Sequence, residues 1–262
     1  MRYFLHIAFD GSKYRGWQRQ PEVKTVQDTI EKGLSKIFKE KIGISGCGRT
    51  DAGVHASQFF FHFDWDTPIE FDLKFILNKN LPKDIAIHDV IPVEKKQHTR
   101  FDATSRTYDY FIHFEKDSVL DSFSTLYQSE KLDFSLMQQA VKLLSKGKDF
   151  KQLCKQPDLH NHTFCEIQAV SLRINSSESR MHLSITANRF LRGMIRIIVA
   201  NLVDVGRKSI TLQQFQNRLD GTAPKIENTS AAPNGLFLSR IKYDYVDIAE
   251  KESICTFLKM GY

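Results

Sequence analysis

The chain has only four cysteines, Cys47, Cys154, Cys165 and Cys255, and no two of them stand in a Cys-x-x-Cys spacing. That excludes a disulfide scaffold and a ribbon-type zinc site, and it fits a reducing compartment, so a cytoplasmic location is expected. No apolar stretch is long enough to span a bilayer, and no membrane association is expected. The most apolar segment, Phe190 to Val205, carries Arg192 and Arg196 and reads as a buried helix. The N-terminus lacks the basic, apolar and small-residue regions of a signal peptide, because Met1 to Phe9 runs straight into a strand-like pattern. There is no tandem repeat and no low-complexity stretch. Gly46-Cys47-Gly48 is not followed by a Gly-Lys-Ser/Thr group, which argues against a nucleotide phosphate loop and a nucleotide cofactor.

What is present is ample apolar material, 41% of 262 residues, and a formal charge of +6. The first fills a core of one large domain or two modest subdomains; the second suits a polyanionic partner without requiring one. Patterning predicts strands at Arg2 to Phe9, Ile42 to Cys47, Val54 to Trp65, Ile85 to Val90 and Ser105 to Phe114. A helix is predicted from a Thr25/Asp28 capping pair to about Phe38, and another at Phe71 to Leu77. In the second half the spacing predicts helices at Phe134 to Leu144, Phe190 to Val205 with Gly206 as its cap, and Leu212 to Leu219. Strands are predicted at Cys165 to Ile174, Arg180 to Ala187 and Gly235 to Tyr243. Strands and helices joined by hairpin-length links imply an α+β fold with a largely antiparallel sheet covered by helices.

Two stretches stand out chemically. Gly46-Cys47-Gly48-Arg49-Thr50-Asp51-Ala52-Gly53-Val54-His55 puts an acid in a glycine-bracketed loop between apolar strands. Its carboxylate either holds a turn by accepting from nearby amides or presents a nucleophile at a strand end. The loop Ser12 to Pro21 interleaves Lys13, Arg15 and Arg19 with Tyr14 and Trp17, a composition suited to an RNA backbone and equally to a solvated loop. Arg189, Arg192 and Arg196 recur at spacings of three and four, which on a helix would share one face and let the first two reach phosphates. Tyr108 on an alternating strand is either a cross-strand core aromatic or a stacking surface.

The loop around Asp51 resembles the signature of the bacterial tRNA pseudouridine synthase A family, and six further blocks agree in the same order. They are Asp10-Gly11-Ser12-Lys13-Tyr14-Arg15-Gly16-Trp17-Gln18-Arg19-Gln20, Asn80-Leu81-Pro82 with Asp84-Ile85-Ala86, Arg100 to Thr104, Arg106 to Tyr110, Asn188 to Arg196, and Ala231 to Leu238. The resemblance implies the pseudouridine synthase fold, with two ferredoxin-like subdomains, 1–104 and 105–262, flanking an RNA cleft. It implies an isomerase that converts uridine to pseudouridine at positions 38, 39 and 40 of the tRNA anticodon stem-loop, without a cofactor, as a homodimer. It makes Asp51 the catalytic aspartate and Arg196 the cation that pairs with it, a pairing that burial of a carboxylate would require. It has Arg49 hold the displaced nucleotide, Tyr108 stack on the uracil and Leu236 line the base pocket. The target base must leave its stack to be reached at all.

After Asp149-Phe150 the pattern departs. Lys151-Gln152-Leu153-Cys154 and His162-Thr163-Phe164-Cys165-Glu166 stand where the family continues with small and aromatic residues and a threonine-arginine pair. Cys154, His160, His162 and Cys165 are zinc-donor types, but their spacing fits no common motif and no metal is expected. A chain that binds RNA without catalysing remains the rival reading, against which Asp51, Tyr108 and Arg196 all stand intact.

Overall fold

A computed structural model describes residues 1–128, 131–224, 229–246, 248 and 251–262. In chain order the elements are β1 Arg2–Phe9, α1 Val26–Phe38, β2 Ser45–Gly46, β3 His55–Asp64, α2 Leu73–Asn80, β4 Ile85–Val93, β5 Ser105–His113, β6 Thr125–Leu126, α3 Phe134–Leu144, β7 Ile167–Ile174, β8 Arg180–Ala187, α4 Met194–Gly206, α5 Leu212–Leu219, β9 Leu236–Lys242 and α6 Ile254–Lys259. The fold is α+β, as the patterning implies. The chain divides into two compact units, one of residues 1–104 with 237–253, the other of residues 105–236 with 254–262. No helix among the described residues is long and apolar enough to cross a membrane.

In the first unit the strands run β4-β1-β3-β9, with β2 paired to β3. β1 is antiparallel to both β3 and β4, whereas β9 is parallel to β3, pairing Phe237 with His55 and Leu238 with Ala56. β3 is buried on both faces from Phe59 to Phe63, because four of its five residues there are phenylalanine and both sides of the pleat are covered. α1 buries the stripe Val26, Ile30 and Leu34 at helical spacing, and Thr25 Oγ1 accepts from the Asp28 amide at 3.3 Å to cap it. Asp72 does the same for α2 by accepting from the Phe75 amide at 2.9 Å, which moves this helix to a start at Leu73 instead of Phe71.

The second unit has strand order β5-β8-β7, all antiparallel, with the two-residue β6 parallel to β5. α4 is apolar almost all round and lies buried as the unit's central helix. It differs from the sequence expectation at both ends. Gly193 adopts φ of +69° and breaks the helix, so α4 starts at Met194 and the residues from Phe190 to Gly193 are a loop. Gly206 is the last helical residue and not a left-handed cap; a Cβ there would meet Met137 Sδ at 2.7 Å, so the glycine permits α3 to pack closely on α4. The strand expected at Ile42 to Cys47 shrinks to Ser45–Gly46, and the three-stranded ladder's outer strand begins at Ile167, not Cys165.

A charged cluster lies under β5. Asp109 is fully buried, accepts from His182 Nε2 at 2.7 Å and pairs with Lys259 Nζ at 2.7 Å, which ties α6 and β8 to β5. Burial opposes ionisation here, but the His182 hydrogen bond and the charges of His182 and Lys259 outweigh it and hold the carboxyl well below the usual carboxylate range. A carboxyl depressed in the fold contributes stability above its unfolded pKa, near 3.9, and loses it as the pH falls toward the folded value. Asp109→Asn is therefore expected to destabilise the second unit by roughly 1–3 kcal/mol near neutral pH, since it removes the buried charge that pairs with the partly exposed Lys259 ammonium and accepts from the buried His182 ring. Thermal melts should show that deficit shrinking as the pH is lowered below about 4; a variant with unchanged melting at neutral pH would contradict the ion-pair account.

Candidate functional site

The Asp51 loop is built by its neighbours in the first unit. Cys47 N donates to Phe60 O at 2.8 Å, so the ladder beside β3 continues one step past β2 before the chain leaves it. Residues 10–20 then lie directly across the loop. Trp17 N donates to Thr50 O and Gly53 N to Tyr14 O, both at 3.2 Å. A side chain on Gly16, whose φ is +90°, would come within 2.4 Å of Thr50 O, and one on Gly11 within 2.0 Å of Val54 O. Gly53 closes the loop at φ of +77°. Gly46 has another purpose, for a Cβ there would strike the Trp17 indole at 2.6 Å.

This arrangement corrects one part of the sequence reading. Tyr14 and Trp17, expected among the RNA contacts, are buried at 2% and 3% exposure. Tyr14 OH donates to Asp84 Oδ1 at 2.5 Å, and Trp17 packs 4.1 Å from the Phe59 ring, so both aromatics anchor the loop. The cations of the same loop point outward: Lys13, Arg15 and Arg19 are exposed, as is Arg49, although Arg19 also pairs with Glu31 at 2.9 Å. Alternation of buried rings and exposed cations is what a loop needs if it is to present charge on a rigid base. Asp51 itself is half-buried.

The sequence reading passed over Asp10 and His55. His55 Nδ1 lies 3.1 Å from Asp10 Oδ1, the same oxygen that accepts from the Ser12 amide at 2.9 Å and its hydroxyl at 2.6 Å. The His55 hydrogen bond and those from Ser12 hold the Asp10 carboxyl well below its usual range despite burial. The His55 ring is buried and stacks on Phe237 at 4.6 Å. Both residues sit inside the matched blocks, His55 four residues after Asp51 and Asp10 at the head of the N-terminal block, and that was the available signal.

In the second unit, Tyr108 is half-buried on β5, with its ring edge-on to Phe190 at 5.1 Å and 90°. One turn into α4, Arg196 Nε donates to Ala231 O at 2.6 Å, and the Ala231 amide donates back to Arg196 O at 3.0 Å. The chain from Ala231 to Leu236 is tied to β5 as well: Tyr110 OH donates to Ala232 O at 2.7 Å, and Phe111 N to Gly235 O at 2.9 Å. Gly235 is required there, because a Cβ would meet Phe111 O at 2.4 Å. Leu236 follows, buried. Arg196 and Leu236, far apart in sequence, are thus connected through one short segment of the second unit that is also tied to β5, the strand carrying Tyr108, while Arg49 and Asp51 share a loop of the first.

Arg189 and Arg192 do not share a helical face with Arg196, since the helix begins after them. Arg189 Nη1 donates to His162 Nε2 at 3.1 Å, and Arg192 is hydrogen-bonded to Gln156. Burial pushes the thiols of Cys154 and Cys165 up to about 11, which keeps them protonated near neutral pH and makes them poor nucleophiles. Among the described residues no group of three or more His, Cys, Asp or Glu side chains is placed to hold a metal ion.

The family model described as tRNA pseudouridine synthase matches residues 6–102 and 140–244. A protein of Parabacteroides distasonis named tRNA pseudouridine synthase A is 39% identical over 247 residues, covering 92% of this chain and 96% of its own. Proteins of the same name from Porphyromonas gingivalis and Bacteroides thetaiotaomicron are 38% identical over 245 residues and 34% identical over 268, covering 92% and 99% of this chain and 97% and 98% of theirs. With most of its length matched, both glycine-rich loops included, the chain belongs to the tRNA pseudouridine synthase family.

Proposed function

We propose that this chain isomerises uridine to pseudouridine in tRNA, with Asp51 as the nucleophile and positions 38, 39 and 40 of the anticodon stem-loop as its targets. The reaction breaks the bond between ribose C1′ and uracil N1, turns the base and joins C1′ to C5; N1 gains the hydrogen that C5 loses. Such a step needs an ionised carboxylate facing either C1′ or C6 of an unstacked nucleotide. The observation that carries the reading is the Asp51 loop: a half-buried carboxylate whose backbone is clamped by residues 10–20 through paired hydrogen bonds and close glycine contacts. A fixed backbone is what presents a nucleophile reproducibly.

The remaining roles follow the resemblance. Arg196 is the cation that keeps Asp51 ionised, Tyr108 stacks on the uracil, Leu236 lines the base pocket, and Arg49 holds the displaced nucleotide. Lys13, Arg15, Arg19, Arg189 and Arg192 meet phosphates, and two copies of the chain share each tRNA in the cytoplasm. The anchoring of Arg196 on Ala231 and the edge contact of Tyr108 with Phe190 support this division of labour, since each side chain is steadied by a partner of its own.

Release of tritium from tRNA transcripts labelled at uridine C5 tests the reaction directly. Stoichiometric release that depends on uridines 38 to 40 is the expected result; binding of the transcript without release would reduce the chain to an RNA-binding module. Mapping pseudouridine in tRNA from cells lacking the protein checks the positions, and light scattering of the purified chain checks the dimer.

A further inference from the structure

The segment that departs from the family pattern, residues 150–166, is well anchored in the second unit. Phe150 N donates to Thr163 O at 3.1 Å and Cys165 N to Lys148 O at 3.0 Å, and Phe150, Leu153, Cys154, Thr163 and Cys165 are buried. Against this background Phe164 is anomalous. It sits between two buried residues in an anchored backbone, yet 58% of it is exposed.

Its neighbours explain what such a ring could do. The imidazole of His162 lies parallel to it, with centroids 5.9 Å apart and planes at 26°. His162 in turn accepts from Arg189 Nη1 at 3.1 Å. Cations adjoin the group: Lys155 N donates to Arg192 O at 2.8 Å, the Lys155 side chain lies against Gly193, and both Lys155 and Arg192 are exposed. Of the nearby acids, Asp149 is engaged by Thr163 Oγ1 at 2.5 Å, Asp158 lies 4.0 Å from Lys151, and Glu166 faces solvent. An exposed phenyl ring and imidazole, a half-buried guanidinium bonded to the imidazole, and the exposed Lys155 and Arg192 of the same unit match what an unpaired base with its phosphates requires: a flat apolar face and positive charge near it.

We infer that Phe164, His162 and Arg189 form a stacking platform for an unpaired nucleobase of the tRNA other than the uridine that reacts, with Lys155 and Arg192 meeting the adjoining phosphates. The inference rests on the tRNA reading above and adds to it a contact made by the chain's divergent segment. The test uses the full chain and tRNA transcripts carrying uridines 38 to 40. Phe164→Ala is expected to weaken transcript binding and raise KM about ten-fold, the scale of one lost base stack, with kcat within two-fold and an unchanged melting temperature. Phe164→Trp should restore binding, because any flat ring serves. Equal affinity of Phe164→Ala and the parent chain would overturn the platform even if isomerisation is confirmed. Weakened binding by that variant, with no tritium released by the parent chain, would leave the platform standing and remove the enzyme reading. A shift in oligomeric state with unchanged affinity would assign the ring to a second copy of the chain and overturn the proposal.

Discussion

Asp51→Asn is expected to leave no measurable turnover, a loss on the order of ten-thousand-fold or more, while tRNA affinity stays within about an order of magnitude. The substitution keeps the size and planarity of the side chain, removes its charge and turns one acceptor oxygen into an amide donor, so the group can no longer attack carbon as an anion. The loop should survive it. The bonds that tie it to residues 10–20 are Trp17 N to Thr50 O and Gly53 N to Tyr14 O, and its own turn is closed by Val54 N to Asp51 O; all of these use backbone atoms. RNA affinity in turn comes mainly from cations meeting phosphates, and Lys13, Arg15 and Arg49 are untouched. Single-turnover tritium release and filter binding on the same transcript separate the two effects. Turnover above about one per cent of the parent rate would take the nucleophile's role away from Asp51.

Arg196→Leu should come next in severity, with a loss of at least a hundred-fold in kcat. Two consequences of the change act together. The guanidinium charge proposed to keep Asp51 ionised is gone, and so is the Nε hydrogen bond to Ala231 O that holds the segment leading to Leu236. Arg196→Lys distinguishes them, because it retains charge and loses the fork through which Nε is directed. If charge is what matters, the lysine variant keeps a substantial part of the activity; if the hydrogen bond to Ala231 matters, it is as impaired as the leucine variant. A leucine variant with full activity would show that neither the charge nor the hydrogen bond is needed.

The contrast between these residues and the flanking ones shows how far residue patterns reach. Asp51, Arg196 and Tyr108 lie in ordered blocks, and the roles proposed for them come from the resemblance of those blocks to a family. Regular elements with a strong period were equally plain: Phe134–Leu144, Arg180–Ala187 and Leu212–Leu219 have the limits that helical spacing, alternation and a polar turn suggest. The two-residue strand Thr125–Leu126 and the six-residue helix Ile254–Lys259 went unread, since neither is long enough to show a period. The helix is held by Lys259 on a buried carboxylate 150 residues earlier in the chain, a partner that no local pattern can reveal.

By itself, then, the amino-acid sequence determined the family, the α+β class and the order of most elements, and it singled out the aspartate proposed as the nucleophile, because each of these is written in local composition, spacing or ordered motifs. Only the tertiary structure decided which way individual side chains turn. Tyr14 and Trp17 go inward while Lys13 and Arg15 between and beside them go outward; Gly193 ends a helix before it can place Arg189 and Arg192 with Arg196; and Phe164 remains in solvent beside His162. The physical reason is that a loop has no period of its own. Its residues are sorted by whatever surfaces the distant chain brings against it, and those surfaces exist only once the strands have paired and the core has closed.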